Sequence, residues 1–313
     1  MKIVYEPRNF RDTSLAIIDQ ANVICEDYAA RGYDLTLRQL YYRFVAQALI
    51  PNTDQSYNRL GAIVSDARLA GLIDWNHIVD RTRYLRALPS WGSPAEIIDG
   101  AAEGYREDVW ADQPEYVEVW VEKDALIGVV EQAADAYKAP SFSCRGYTSQ
   151  SELWAAARRH VRMMHRGKRC TVLHLGDHDP SGIDMTRDIE DRLALFCSRH
   201  GSGRVRVERL ALNMDQVAEY QPPPNPAKMT DSRYEGYMAV YGDESWELDA
   251  LPPDVLDGII QANLRQHLDV AAYDRSIAGQ EERRVLLRRV SAQWEDVANY
   301  VSTDGDSAPE EDE

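Results

Sequence analysis

The chain has 313 residues, a hydrophobic fraction of 44% and a formal net charge of −17, enough for two domains and a small appendage of ordinary globular composition. No apolar run approaches the ~18 residues of a membrane span, and the charged start MKIVYEPRNFRDTS lacks the apolar core of a signal peptide. The average charge speaks against a nucleic-acid partner, and four scattered cysteines without a CxxC pair (Cys25, Cys144, Cys170, Cys197) argue against a zinc ribbon or a disulfide framework, which places the chain in a reducing cytoplasm.

Residues 1–90 read as mostly helical. In DLTLRQLYYRFVAQALI the apolar positions Leu37, Leu40, Tyr41, Phe44, Val45 and Ala48 follow the spacing of an amphipathic helix, with Asp34 or Thr36 as N-cap. A second helix fits QSYNRLGAIVSDARLA and stops near Gly71. LIDWNHIVDRTRYLR then reads as a short hairpin. Helix, helix and hairpin is the order of a winged-helix module, a helix-turn-helix relative. Between Arg31 and Ser90 eight arginines face five aspartates, so this stretch is locally basic inside an acidic chain.

Residues 91–113 read as a polar linker carrying one helix, roughly 94–105. Over 114–260 strands alternate with helices: YVEVWVE, a helix over 125–137, SFSCRG, a helix over 151–164, CTVLHLG, a helix from Ile183 to about Cys197, and VRVERLAL. That alternation predicts a parallel sheet covered by helices. A second basic cluster runs from Arg158 to Arg169. QPPPNPAK is extended, residues 261–302 form C-terminal helices, and the tail 303–313 holds six acids and reads as disordered; without those six the chain stands at −11.

Glu122 ends the first strand, and Asp177 and Asp179 follow CTVLHLG, two residues apart so that extended chain points them the same way. Ligands gather at the carboxyl ends of parallel strands, and three carboxylates there suit Mg²⁺, which takes a few carboxylates, waters and a phosphate oxygen. Three rival readings remain. DHDPSGIDMTRD is like an EF-hand loop at positions 1, 3 and 6, but a strand precedes it, Asp184 holds position 8 and Asp188 ends it. A phosphatase of the haloacid dehalogenase type would leave Glu122 and the N-terminal module unexplained. In the plainest reading, Asp179 caps the helix that begins at Pro180.

On the first amphipathic helix Tyr41 falls in the apolar stripe and is expected in the core. Tyr42 lies about 100° round the helix and one turn after Arg38. A phenol is a weak nucleophile at neutral pH, and a neighbouring guanidinium favours the phenolate and can hold a phosphate. Tyr42 is therefore the candidate nucleophile and Arg38 its helper.

Thr36-Leu37-Arg38-Gln39-Leu40-Tyr41-Tyr42 resembles the T-x-R-x-x-Y-Y signature of topoisomerase VI A subunits and the meiotic double-strand-break transesterases. Glu122 followed by Asp177-x-Asp179 resembles the Toprim metal site of the same family. The likeness spans roughly residues 30–250, includes Ser245–Leu251, and points to the stand-alone mini-A relatives. It implies a mixed α/β protein with an N-terminal winged-helix domain followed by a Toprim-type parallel α/β domain. The implied activity is Mg²⁺-dependent cleavage of double-stranded DNA by a homodimer, of the type IIB topoisomerase A-subunit kind. Each Tyr42 would attack a phosphate to leave a 5′-phosphotyrosyl link, facing the Toprim site of the other subunit. Glu122 would be general acid/base or metal ligand, Asp177 and Asp179 would hold Mg²⁺, and Arg43, Arg59, Arg68 and Lys123 are the candidate DNA contacts. A cytoplasmic, nucleoid-associated protein with no membrane partner is expected.

Since no GHKL-type ATPase segment is recognisable, strand passage would require a separate B-type ATPase subunit, or the chain works without one. Two alternatives stand beside this reading. One is a hydrolytic Toprim nuclease, like the Wadjet defence nuclease subunit, in which metal-activated water replaces tyrosine. The other is a non-cutting DNA-binding subunit of a larger assembly. A primase is disfavoured because no zinc-ligand cluster precedes the domain.

Overall fold

The computed structural model describes residues 1–80, 88–198 and 203–304. Three helices open the chain, α1 (Asp12–Ala30), α2 (Leu37–Ala46) and α3 (Asp54–Leu69), followed by α4 (Pro94–Gly104). Strands and helices then alternate: β1 (Glu115–Val121), α5 (Ile127–Asp135), β2 (Ser141–Ser143), α6 (Gln150–His165), β3 (Arg169–Leu175), α7 (Pro180–Ser198) and β4 (Arg206–Ala211). Next come α8 (Met214–Tyr220), β5 (Asn225–Pro226), α9 (Tyr234–Tyr241) and β6 (Glu244–Ser245), and then α10 (Pro253–Gln266), α11 (Val270–Ala292) and α12 (Trp294–Asp304). Among the described residues no helix is long and apolar enough to cross a membrane. The protein is a mixed α/β chain with two compact units, Met1–Tyr84 with Pro114–His267, and Leu85–Gln113 with Leu268–Glu313.

The larger unit is built on a four-stranded, all-parallel sheet in the order β2-β1-β3-β4. The two central strands are buried along nearly their whole length, as strands covered on both faces must be. Side chains alternate across β1. Tyr116 and Trp120 join the apolar cluster with Leu153 of α6 and Ile189 and Leu193 of α7, so α6 and α7 cover that face. Glu118 lies on the same face and survives burial because Arg159 holds both its oxygens at 3.1 Å, with Tyr116 and Trp120 donating at 2.8 Å. The register pairs Val121 with Leu175, and the Glu122 N–H donates to the Leu175 carbonyl at 2.8 Å. Glu122 and the β3–α7 loop therefore leave the sheet side by side.

The N-terminal helices form a second core in the same unit, around Ile18, Leu40, Phe44, Leu60 and Ile73. Helix α2 starts at a capping box: Thr36 Oγ1 accepts from the Gln39 N–H at 3.2 Å, and Gln39 Oε1 accepts from the Thr36 N–H at 2.8 Å. Its far side packs on the 3₁₀ turn Leu248–Ala250, and Ala250 belongs to the helical core. The expected hairpin over 72–86 takes a different form over its first part. Residues 72–80 are turns with one bridge, Leu35 to Ile78, and residues 81–87 lie outside the described residues. Trp75, at the would-be strand, is instead held by the Arg68 guanidinium 4.4 Å from its ring.

In the smaller unit, the stretch 91–113 expected as a linker carries α4, which packs along α11. Polar side chains of α11 satisfy the backbone around α4: Gln280 accepts from the Glu107 N–H at 3.1 Å, Arg284 donates to the Tyr105 carbonyl at 3.0 Å and Ser291 to that of Ala95 at 2.9 Å. Residues 305–313 of the acidic tail lie outside the described residues.

Candidate functional site

The carboxyl ends of β1 and β3 bring Glu122, Asp177 and Asp179 to one place. Glu122 is 8% exposed, and its Oε2 accepts the Asp177 N–H at 2.9 Å, so the carboxylate is fixed by the backbone of the neighbouring loop. Asp177 Oδ1 accepts the Leu248 N–H at 2.8 Å and pairs with Lys123 Nζ at 2.9 Å. Asp179 Oδ1 accepts from the Gly182 N–H at 2.6 Å and from Ser181 Oγ at 2.9 Å, the bonds of a helix cap. The capping role weighed from the sequence is thus present, in a residue that also lines the cleft with the other two. His178 turns the opposite way, into Tyr237, Tyr241 and Trp246.

Two glycines allow this close packing. A Cβ on Gly182 would lie 2.2 Å from the Asp177 carbonyl oxygen, and one on Gly176 would lie 2.9 Å from Glu122 Oε2. A side chain at Gly182 displaces the Asp177 backbone, and one at Gly176 crowds the Glu122 carboxylate. The Gly-Asp-x-Asp-Pro-x-Gly pattern is therefore a packing requirement as well as a list of acids.

The structure adds three residues whose place in the site the sequence reading missed. Glu247 and Asp249 flank the start of the Leu248–Ala250 turn, and Lys123 Nζ sits 2.8 Å from Glu247 Oε2 and 3.1 Å from Asp249 Oδ1. Arg38 pairs with Glu247, and its Nε lies 3.1 Å from Asp249 Oδ2. Arg209, two residues before the end of β4, bonds to the carbonyls of Gly176, Asp177 and Gly182. The Glu-x-Asp spacing of residues 247 and 249, like that of Asp177 and Asp179, was the available signal for the first two.

Burial dominates the electrostatics. It raises the Glu122 and Asp249 carboxyls and pushes Asp177 up to about 7, where Glu122 and Asp249 add repulsion and Lys123 opposes. For Glu247 the burial cost is overcome by Lys123 and Arg38, which bring it down to about 2. The acids line a cleft of about 470 Å³ whose rim carries Arg145 and Lys228.

Tyr42 occupies a different environment from the one its helical position predicts. It is 2% exposed, because α2 is covered by α1 and α3 on one side and by the Leu248–Ala250 turn on the other. Burial raises its phenol, Asp249 and Glu247 raise it further, and Arg38 opposes. The Arg38 guanidinium lies 5.9 Å from the Tyr42 ring. Tyr41 is buried as expected and donates to Asn52 Oδ1 at 2.8 Å. Both tyrosines line a cavity of about 260 Å³ that shares Arg38, Asn225 and Glu247 with the carboxylate cleft.

The candidate DNA contacts divide. Arg59 is exposed on α3, beside Arg8 and Arg11 in a surface groove. Arg43 turns inward and donates to the Ala250 carbonyl. Arg68 donates to the Trp75 carbonyl at 2.9 Å while stacking on that ring. Lys123 lines the cleft and pairs with Asp177, Glu247 and Asp249.

No protein-family model and no curated protein matches this chain. The fit of the site to a metal therefore rests on its own chemistry. Glu122, Asp177 and Asp179 offer carboxylate oxygens to one cleft, the class of ligand that Mg²⁺ accepts. Among the described residues no three Asp, Glu, His or Cys side chains converge into a preformed cage.

Proposed function

We propose that this protein is a Mg²⁺-dependent DNA-cleaving enzyme of the Toprim kind, with Glu122, Asp177 and Asp179 as the residues that hold the ion and the helices α1–α3 as a winged-helix-like module. The observation that carries the reading is the pairing of Glu122 with the Asp177 backbone at adjacent parallel strand ends, opening on a cleft rimmed by Arg145 and Lys228. Mg²⁺ bound there would polarise a phosphoryl oxygen and stabilise the departing one. Glu122, raised by burial, is suited to accept and pass on a proton at the reacting phosphate. The rim cations supply the positive charge that a phosphodiester backbone requires. A homodimer and a separate ATPase subunit belong to the proposal as far as the family resemblance carries them.

Water is the nucleophile this geometry supports best. Tyr42 is enclosed, its phenol is harder to ionise than a free one, and Arg38 is engaged by Glu247 and Asp249. Attack by Tyr42 is the second reading, favoured by the Arg38–Glu247 pair that joins the tyrosine cavity to the cleft. Incubation with duplex DNA and Mg²⁺, followed by denaturation, tests both. Cleaved DNA with free 5′ ends is expected. Protein attached to 5′ ends would establish the tyrosyl route, and intact DNA under all conditions would remove the cleavage reading altogether.

A further inference from the structure

Arg209 stands two residues before the end of β4, the edge strand beside β3, and its guanidinium spans the loop that carries both aspartates. Nη1 donates to the Gly182 carbonyl in the first turn of α7 and to Thr186 Oγ1, each at 2.9 Å. Nη2 donates to the Gly176 carbonyl at 3.0 Å and to that of Asp177. Nε donates to the Leu212 carbonyl at 3.3 Å. Gly176 and Asp177 precede the turn, Gly182 follows it, and Asp179 lies between. One rigid fork therefore ties together the entry and the exit of the Asp177–Asp179 loop. The same fork is beside Glu122: a Cβ on Gly176 would lie 2.9 Å from Glu122 Oε2 and 3.4 Å from Arg209 Nη1.

A lysine has neither the fork nor the planar spread to replace these bonds, because its ammonium is a point charge on a flexible stem. The loop is close-packed at Gly182, where an added Cβ would lie 2.2 Å from the Asp177 carbonyl oxygen. Resting on the reading of this cleft as a divalent-cation site, we propose that Arg209 is a positioning residue: it fixes the spacing of Asp177 and Asp179 and sets a positive charge beside Glu122, so that the carboxylates are aimed before the ion arrives. Hydrogen-bond partners behind metal ligands commonly have this role.

The test is Mg²⁺ binding by the full chain, measured by titration calorimetry and by the Mg²⁺-induced rise in unfolding temperature. Wild type, Glu122→Gln, Arg209→Met and Arg209→Lys are compared. Arg209→Lys keeps the charge and serves if Arg209→Met does not fold. Its expected loss of Mg²⁺ affinity is roughly 10- to 100-fold, with an unfolding temperature in chelator close to that of wild type. If Arg209→Lys binds Mg²⁺ as wild type does while Glu122→Gln does not, Arg209 is merely structural and the inference fails alone. If wild type and Glu122→Gln show the same response to Mg²⁺, the cation-site reading fails and the inference with it.

Discussion

Two regions of the larger unit present reactive groups to neighbouring cavities, and they do so by different means. At the strand ends Glu122 and Asp177 are held by backbone N–H groups, which leaves carboxylate oxygens facing an open cleft. On α2, Tyr42 is held by packing, and Arg38, which favours its ionised form, is shared with two acids. Strand ends are the general position of ligand sites in parallel sheets. A buried phenol must first be uncovered and ionised. The Arg38–Glu247 pair lines both cavities and lies between the two.

The sharpest way to break this comparison is at Glu122. Glu122→Gln is expected to lower DNA cleavage by roughly 10²- to 10⁴-fold, the usual contribution of a general acid or base, with duplex affinity in a filter-binding assay unchanged. Equal losses of cleavage and binding would mean that the strand ends hold DNA without acting on it. Tyr42→Phe comes next. Under attack by water, cleavage should stay within about threefold of wild type, whereas abolished cleavage would hand the chemistry to the tyrosine.

Smaller effects sharpen the same contrast. Gly182→Ala forces a methyl group against the Asp177 carbonyl and should cost about 1–3 kcal/mol of stability in urea unfolding, the ordinary range for overpacking. An alanine variant of unchanged stability would show that the loop yields. Acid should destabilise the sheet through His174, which burial holds neutral to about pH 3. An unfolded histidine takes its proton near pH 6.5, so this contribution is complete above that value and is lost as the pH falls from 6.5 towards 3. Calorimetric unfolding temperatures should therefore drop between pH 7 and pH 5, and less in a His174→Gln variant. The smallest expected effect is at Arg59. Arg59→Ala should reduce the salt slope of DNA binding by about 0.9, while Arg43→Ala, whose partner is the Ala250 carbonyl, should alter stability and leave that slope alone.

Much of the fold was legible because it is local. The alternation of YVEVWVE and CTVLHLG, the helical stripe through Leu37 and Phe44, and the cap at Thr36 each depend on neighbours within a few residues, and each element lies where the pattern predicts. The association of Glu122 with Asp177 was legible too, since strand ends in a parallel sheet converge. The form of residues 72–80 was not, because in this described part of the expected hairpin Trp75 and Ile78 meet other partners, Arg68 and Leu35. Nor was the fate of 91–113, whose polar backbone is completed by α11 side chains far along the chain.

By itself, then, the sequence determined the α/β alternation and the identity of the strand-end acids, through short-range periodicity and turn geometry. Tertiary structure alone decided that Tyr42 is buried, that Lys123 and Arg38 are claimed by Glu247 and Asp249, and that Arg209 braces the aspartate loop. The reason is physical: Lys123 and Asp249 are 126 residues apart in the chain, and which charges meet over such distances is set by how whole elements pack.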